Sequence, residues 1–141
     1  MLFIEQPGGV GFSSASSQWK GSEADNRTEK DVSHDFYAFL QNFYRVFGED
    51  MRQKKLYIAG ESYAGMYIPS IARCIHLENQ KVAAVVRSEK ISNSLVINLE
   101  GIAIGNGWID VNIQVGNSTV MAFCKHMPQI GNINHFVLHW C

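Results

Sequence analysis

No stretch of this 141-residue chain approaches the roughly 18 consecutive apolar residues that a membrane-spanning helix requires. Neither sign of charge dominates: 12 Lys and Arg stand against 13 Asp and Glu, a formal net charge of -1. That balance supplies no electrostatic attraction for nucleic acid or for an anionic membrane surface. Cysteine is scarce. Cys74, Cys124 and Cys141 are an odd number without CxxC spacing, so they outline neither a zinc site nor a closed set of disulfides. The opening MLFIEQPGG has no basic n-region and too short an apolar core for a signal peptide, which taken alone points to the cytoplasm. What is present, 46% hydrophobic and 18% charged residues, is the composition of one soluble globular domain or part of one.

Residues 1–6, MLFIEQ, form an apolar run stopped by Pro7, Gly8 and Gly9, and predict a buried strand. Chain termini usually lie exposed, so a core strand at position 1 leads to the expectation of further sequence upstream. Residues 11–27 are rich in Ser and Gly and predict a loop. From Thr28 to Phe47 apolar residues recur at Val32, Phe36, Phe39, Leu40, Phe43 and Val46 or Phe47, a helical spacing whose aromatic stripe reads as core. Thr28 with Asp31 resembles a capping box, Glu29 and Asp31 suit the positive end of the helix, and Gly48 is a stop signal. LYIAG at 56–60 predicts a buried strand. A helix follows from Tyr63 to about Leu77, with a kink expected at Pro69, and then a polar stretch over 78–94. LVINLEGIAI at 95–104 predicts another strand, ended by GNG at 105–107. Alternating strands and helices give the α/β class, with a mostly parallel sheet flanked by helices.

Within KLYIAGESYAG a strand breaks into a helix at a serine, in the pattern G-x-S-x-A. Such a nucleophile elbow lifts the serine hydroxyl clear of the sheet, and bulky residues two positions to either side would collide across the turn. Those positions are Gly60 and Ala64, with Gly65 just beyond. The helix then aims its amino end at the reacting atom, and the Tyr63 N–H is placed to stabilise an oxyanion. A plain N-cap serine has the same local context. Gly11-Phe12-Ser13-Ser14-Ala15 fits the pattern too, but no strand immediately precedes it and loop follows it, so Ser62 is the candidate and Ser13 is not. Glu61 beside a nucleophile is electrostatically awkward as an anion. It is expected to be partly buried, protonated and hydrogen-bonded to another carboxyl group.

MLFIEQPGGVGFS, GESYAG and INLEGIAIGNGWID together resemble the serine carboxypeptidase family, as does the intervening TEKDVSHDFYAFLQNFYRVF. The blocks keep the family's order and suitable separations, and cover roughly residues 1–114. The resemblance implies a partial α/β-hydrolase fold and hydrolysis of C-terminal peptide bonds through an acyl-enzyme, with no cofactor and no metal. It makes Ser62 the catalytic nucleophile. It gives Tyr63 two duties, an oxyanion N–H and a wall of the pocket for the side chain before the scissile bond. Glu61 would bind the substrate's terminal carboxylate as a protonated donor, which suits acidic pH because the ionised form repels that carboxylate. Gly60, Ala64 and Gly65 would be geometric, and Asn106 and Gly107 a supporting wall. The implied substrates are peptide or protein C-termini, and the implied setting is vacuolar, lysosomal or secreted. Two sequons, Asn26-Arg27-Thr28 and Asn117-Ser118-Thr119, are compatible with that setting.

The family's Gly-rich oxyanion loop falls upstream of Met1, and its triad acid and histidine fall beyond Cys141. Asp110, with His126, His135 or His139, follows Ser62 in the right order but does not match the family's triad. Those histidines match no usual metal-ligand spacing either. Residues 115–141 are expected to form a divergent tail. His34 and His76 read as structural. Two alternatives stay open: a relative that transfers acyl groups to alcohols, and an inactive truncated product or binding module.

Overall fold

The computed structural model describes residues 1–14, 28–88 and 93–114. The tail at 115–141, with His126, His135 and His139, and both sequon asparagines lie outside the described residues. Helix α1 spans Glu29–Phe47, short α2 Glu49–Arg52, strand β1 Leu56–Glu61, α3 Ala64–Arg87, β2 Leu99–Gly105 and short α4 Val111–Gln114. Strands β1 and β2 pair in parallel, from Tyr57 opposite Gly101 to Glu61 opposite Gly105. Parallel neighbours need a crossover, and α3 supplies it.

Helix α1 begins where expected. The Thr28 hydroxyl accepts from Asp31 N, and the Asp31 carboxylate accepts from Thr28 N at 2.9 Å, so the capping box is complete. It ends at Gly48, whose φ of 82° lies in the left-handed region that favours glycine. Its apolar stripe divides in two. Val32, Phe36, Leu40 and Tyr44, four apart, are buried, whereas Phe39, Val46 and Phe47 are exposed. The core-facing row is therefore the strict i, i+4 ridge that packs against α3. Buried Ser33 lies on the same side and joins the helices through its hydroxyl, 2.9 Å from Ser70 Oγ.

Helix α3 is longer than its sequence suggests. It runs unbroken through Pro69 and continues past Leu77 to Arg87. The segment ENQKVAAVVR lacks a strong apolar period but is rich in good helix formers, adds a Lys81–Glu78 ion pair at i,i+3, and buries Val82. Helix α3 meets α1 and both strands. Its Ile68, Ile71 and Ile75 join Phe36, Leu40, Tyr44, Ile58 and Ile97 in the core. Although 24 residues long, α3 is not apolar enough to cross a membrane, and neither is any other helix among the described residues.

Two expected strands differ. Residues 1–6 form no strand. Met1, Leu2 and Phe3 are exposed and only Ile4 packs against the core. An apolar run becomes a strand only when a ladder partner takes its backbone groups, and among the described residues neither β1 nor β2 does so here. Strand β2 starts at Leu99 instead of residue 95, because side chains serve the lead-in. Gln41 Nε2 donates to Leu95 O at 2.7 Å while its Oε1 accepts from Leu95 N at 2.8 Å. Asn79 treats Ile97 in the same way, at 2.8 and 2.9 Å. Two amides thus imitate a neighbouring strand. In the intact protein, Asn79→Leu and Gln41→Leu are each expected to lower unfolding free energy by about 2–4 kcal/mol, since each strands two backbone groups. The Asn79 change should cost more because Ile97 is fully buried. Urea denaturation measures both, and midpoints within error of the parent would refute the role.

Candidate active site

Strand β1 ends at Glu61, Ser62 turns the chain, and α3 begins at Ala64. The Ser62 backbone has φ 58°, a left-handed conformation that a non-glycine residue adopts at a cost of about 1–3 kcal/mol. Both of its backbone groups are held by the exit of β2. Ser62 N donates to Gly105 O at 3.0 Å, and Trp108 N donates to Ser62 O at 2.8 Å. A third bond closes the turn, from Gly65 N to Ser62 O at 3.0 Å. The side chain is exposed. These are the local features of a serine raised for attack.

The small neighbours are needed sterically. A Cβ on Gly60 would lie 2.6 Å from Ala64 Cβ and 3.1 Å from Ile68 Cδ1, the collision across the turn that the pattern foretells. Gly65 answers to a different contact. A Cβ there would sit 2.5 Å from Trp108 O and 2.7 Å from Trp108 N, because the GNGW segment crosses the first turn of α3. This crossing explains why "GNGWID" matters to the site: it is the clamp on Ser62. Asn106, at φ 44°, makes the tight exit.

The amino end of α3 is left open. Tyr63 occupies the N-cap position without a capping side-chain bond. Gly65 and Met66 amides bond the Ser62 and Tyr63 carbonyls, whereas the Tyr63 and Ala64 N–H groups meet no acceptor among the described residues. Those free donors, at the positive end of a 24-residue helix, suit an oxyanion forming at Ser62. The Tyr63 residue is about half exposed and makes a T-shaped ring contact with Tyr67, centroids 4.9 Å apart. Its hydroxyl donates to Glu29 Oε1 at 3.2 Å, and that carboxylate raises the phenol above its ordinary range. Sequence reading placed Glu29 only as a partner of the helix dipole. The two lie 34 positions apart, so no local signal joins it to Tyr63.

Glu61, the last residue of β1 and opposite Gly105, is exposed among the described residues. Asp110 caps α4, accepting from Asn112 N at 2.9 Å and Ile113 N at 3.1 Å, so it serves local structure. His34 Nδ1 lies 3.9 Å from Cys74 Sγ, and His76 Nε2 lies 3.0 Å from Gln80 Nε2. Cys74 is a free thiol pushed up by burial first and by Glu78 second. Ser13 sits in a turn with its hydroxyl donated to Glu5 O at 2.6 Å, unlike Ser62. Among the described residues, no group of three or more His, Cys, Asp or Glu side chains could hold a metal ion. An apolar cleft of about 690 Å³ lies between residues 2–14 and α1, and Ser62 does not line it.

Comparison with known proteins agrees with this geometry. A family model described as serine carboxypeptidase matches residues 1–135, reaching past residue 114. The pheromone-processing carboxypeptidase KEX1 of Ogataea parapolymorpha is 46% identical over 114 residues, 81% of this chain and 15% of that protein. A probable serine carboxypeptidase CPVL of Dictyostelium discoideum is 41% identical over 123 residues, 87% of this chain and 22% of that protein. The crystal structure of KEX1(delta)p, a prohormone-processing carboxypeptidase from Saccharomyces cerevisiae, superposes with a TM-score of 0.61 at 31% identity, covering 94% of this chain and 26% of that one. The chain therefore spans about a seventh to a quarter of the relatives it matches.

The steric account of the elbow predicts a rescue. Gly60→Ala should destabilise by about 1–3 kcal/mol through overpacking. Adding Ala64→Gly removes the opposing Cβ and should recover most of that loss, less the cost of glycine in the first turn of a helix. Gly65→Ala should admit no such rescue, since its obstacle is backbone. Thermal melts of the single and double variants in the intact protein measure this. A double variant no more stable than Gly60→Ala alone would refute it.

Proposed function

The chain belongs to the serine carboxypeptidase family, and on that premise we propose that it carries the nucleophile and substrate-binding centre of an enzyme that removes residues from peptide C-termini. The described strands and helices are part of an α/β-hydrolase fold. Ser62 Oγ attacks the carbonyl carbon of the last peptide bond, and the negative charge gathers on the carbonyl oxygen beside the Tyr63 N–H. Collapse breaks the C–N bond, the departing C-terminal amine takes up a proton, and the acyl group stays on Ser62 as an ester. Water then cleaves the ester and restores the hydroxyl. Glu61, one residue before the nucleophile, contributes to the subsite for the substrate's terminal carboxylate, and the Tyr63 ring walls the pocket for the side chain before the scissile bond. Gly60, Ala64 and Gly65 keep the turn tight enough for this arrangement.

The base that takes the Ser62 proton is assigned by resemblance to residues downstream of this stretch, as is the acid that orients it. His34 and His76 are not candidates: His34 adjoins Cys74 and His76 adjoins Gln80. The working environment proposed is acidic, in a vacuole, lysosome or secreted fluid. The single observation that carries the reading is the left-handed, exposed Ser62 whose backbone is bonded on both sides to the exit of β2.

The test is labelling with an active-site organophosphonate together with release of the C-terminal residue from a blocked dipeptide. The intact protein should be labelled at Ser62 and should hydrolyse the peptide. Ser62→Ala should abolish labelling and lower turnover by about 10³–10⁶-fold. Absence of label at Ser62 overturns the reading. So does transfer of the acyl group to an added alcohol with no release of free amino acid, which would make the enzyme an acyltransferase.

A further inference from the structure

We propose that Glu29 is a positioning residue for Tyr63, fixing through its carboxylate the ring that walls the pocket for the side chain before the scissile bond. This rests on the carboxypeptidase reading above. Glu29 opens α1 and Tyr63 precedes α3, so the bond from Tyr63 Oη to Glu29 Oε1, 3.2 Å long, ties the residue after the nucleophile to a different helix. The backbone of Glu29 is itself anchored to α3. Ser33 Oγ donates to Glu29 O at 2.6 Å, Ser70 Oγ donates to the same carbonyl at 3.4 Å, and the two hydroxyls lie 2.9 Å apart. The backbone from which the accepting carboxylate extends is thus held from both helices.

Among the described residues the ring is restrained by Glu29 at the hydroxyl and by a T-shaped contact with Tyr67. Without the first it gains freedom about both side-chain torsions, because nearly half of its surface is open. A pocket discriminates between side chains by a difference of binding free energies, and a wall that yields flattens that difference. The start of α1 does not need the Glu29 carboxylate, since Thr28 and Asp31 complete the capping box. Its use is therefore separable from helix formation. The raised phenol reports the same contact, with Glu29 the main cause and Tyr67 a lesser one.

The experiment compares Glu29→Ala, Glu29→Gln, Tyr63→Phe and the Glu29→Ala/Tyr63→Phe double variant in the intact protein. It reads the ratio of kcat/KM for peptides carrying Phe or Ala before the scissile bond, and titrates the Tyr63 phenol by ultraviolet absorbance. Glu29→Ala and Tyr63→Phe should each change the ratio by about three- to tenfold in the same direction, the size expected for one hydrogen bond to a charged or polar group. The double variant should go no further, and Glu29→Gln, whose amide oxygen still accepts, should keep most of the parental ratio. The phenol should titrate at lower pH in Glu29→Ala. An unchanged ratio in Glu29→Ala with hydrolysis intact overturns the positioning role, as does simple addition in the double variant. A parent protein that hydrolyses no peptide overturns the carboxypeptidase reading. The titration separates the two failures, because an unshifted phenol in Glu29→Ala removes the tie itself.

Discussion

Ser62 occupies a backbone conformation that L-residues avoid, and it stays there because its N–H and C=O are both taken by the segment leaving β2. Two hydrogen bonds of ordinary length offset a conformational cost of about 1–3 kcal/mol. They exist only if β2 ends at the right height, and that height is set by the parallel register that puts Gly105 opposite Glu61. Register in turn depends on how the lead-in to β2 is seated, which is where Gln41 and Asn79 act on Leu95 and Ile97. The chain of dependence runs from two side-chain amides on separate helices, through strand pairing, to one serine. A glycine at position 65 completes it, since a side chain there would collide with the Trp108 backbone, whose N–H bonds the Ser62 carbonyl.

What sequence reading recovered, and what it missed, divides by range. The elbow was legible because its steric rule involves residues four apart, and the structure finds the Gly60–Ala64 contact the rule describes. The limits of α1 were legible for the same reason, its cap and its stop being local chemistry. Residues 1–6 read as a strand because apolar character was visible while the partner for its hydrogen bonds was not. The extension of α3 to Arg87 escaped a reading based on hydrophobic period, since propensity and one ion pair carry that stretch. Contacts across 54 residues, as between Gln41 and Leu95, or 34, as between Tyr63 and Glu29, leave no mark in spacing at all.

The two long helices meet the same problem at their amino ends and resolve it in opposite ways. Helix α1 closes its end with Thr28 and Asp31, each satisfying a backbone N–H of the other's residue. Helix α3, longer and central to the core, has a tyrosine at the N-cap position and no capping side chain. A Ser, Thr, Asp or Asn there would ordinarily add about 0.5–2 kcal/mol. It would also put an oxygen acceptor among the amides that an oxyanion needs. Stability forgone at the start of α3 therefore leaves donors available beside Ser62, and the Tyr63 side chain, excluded from capping, extends instead to Glu29. On the proposed reading one residue would serve the site twice, through a backbone group it leaves unpaired and a phenol it does not. The two are coupled only through the turn at Ser62, so a change that relaxes that turn should disturb oxyanion binding and side-chain selection together, whereas a change at Glu29 should reach selection alone.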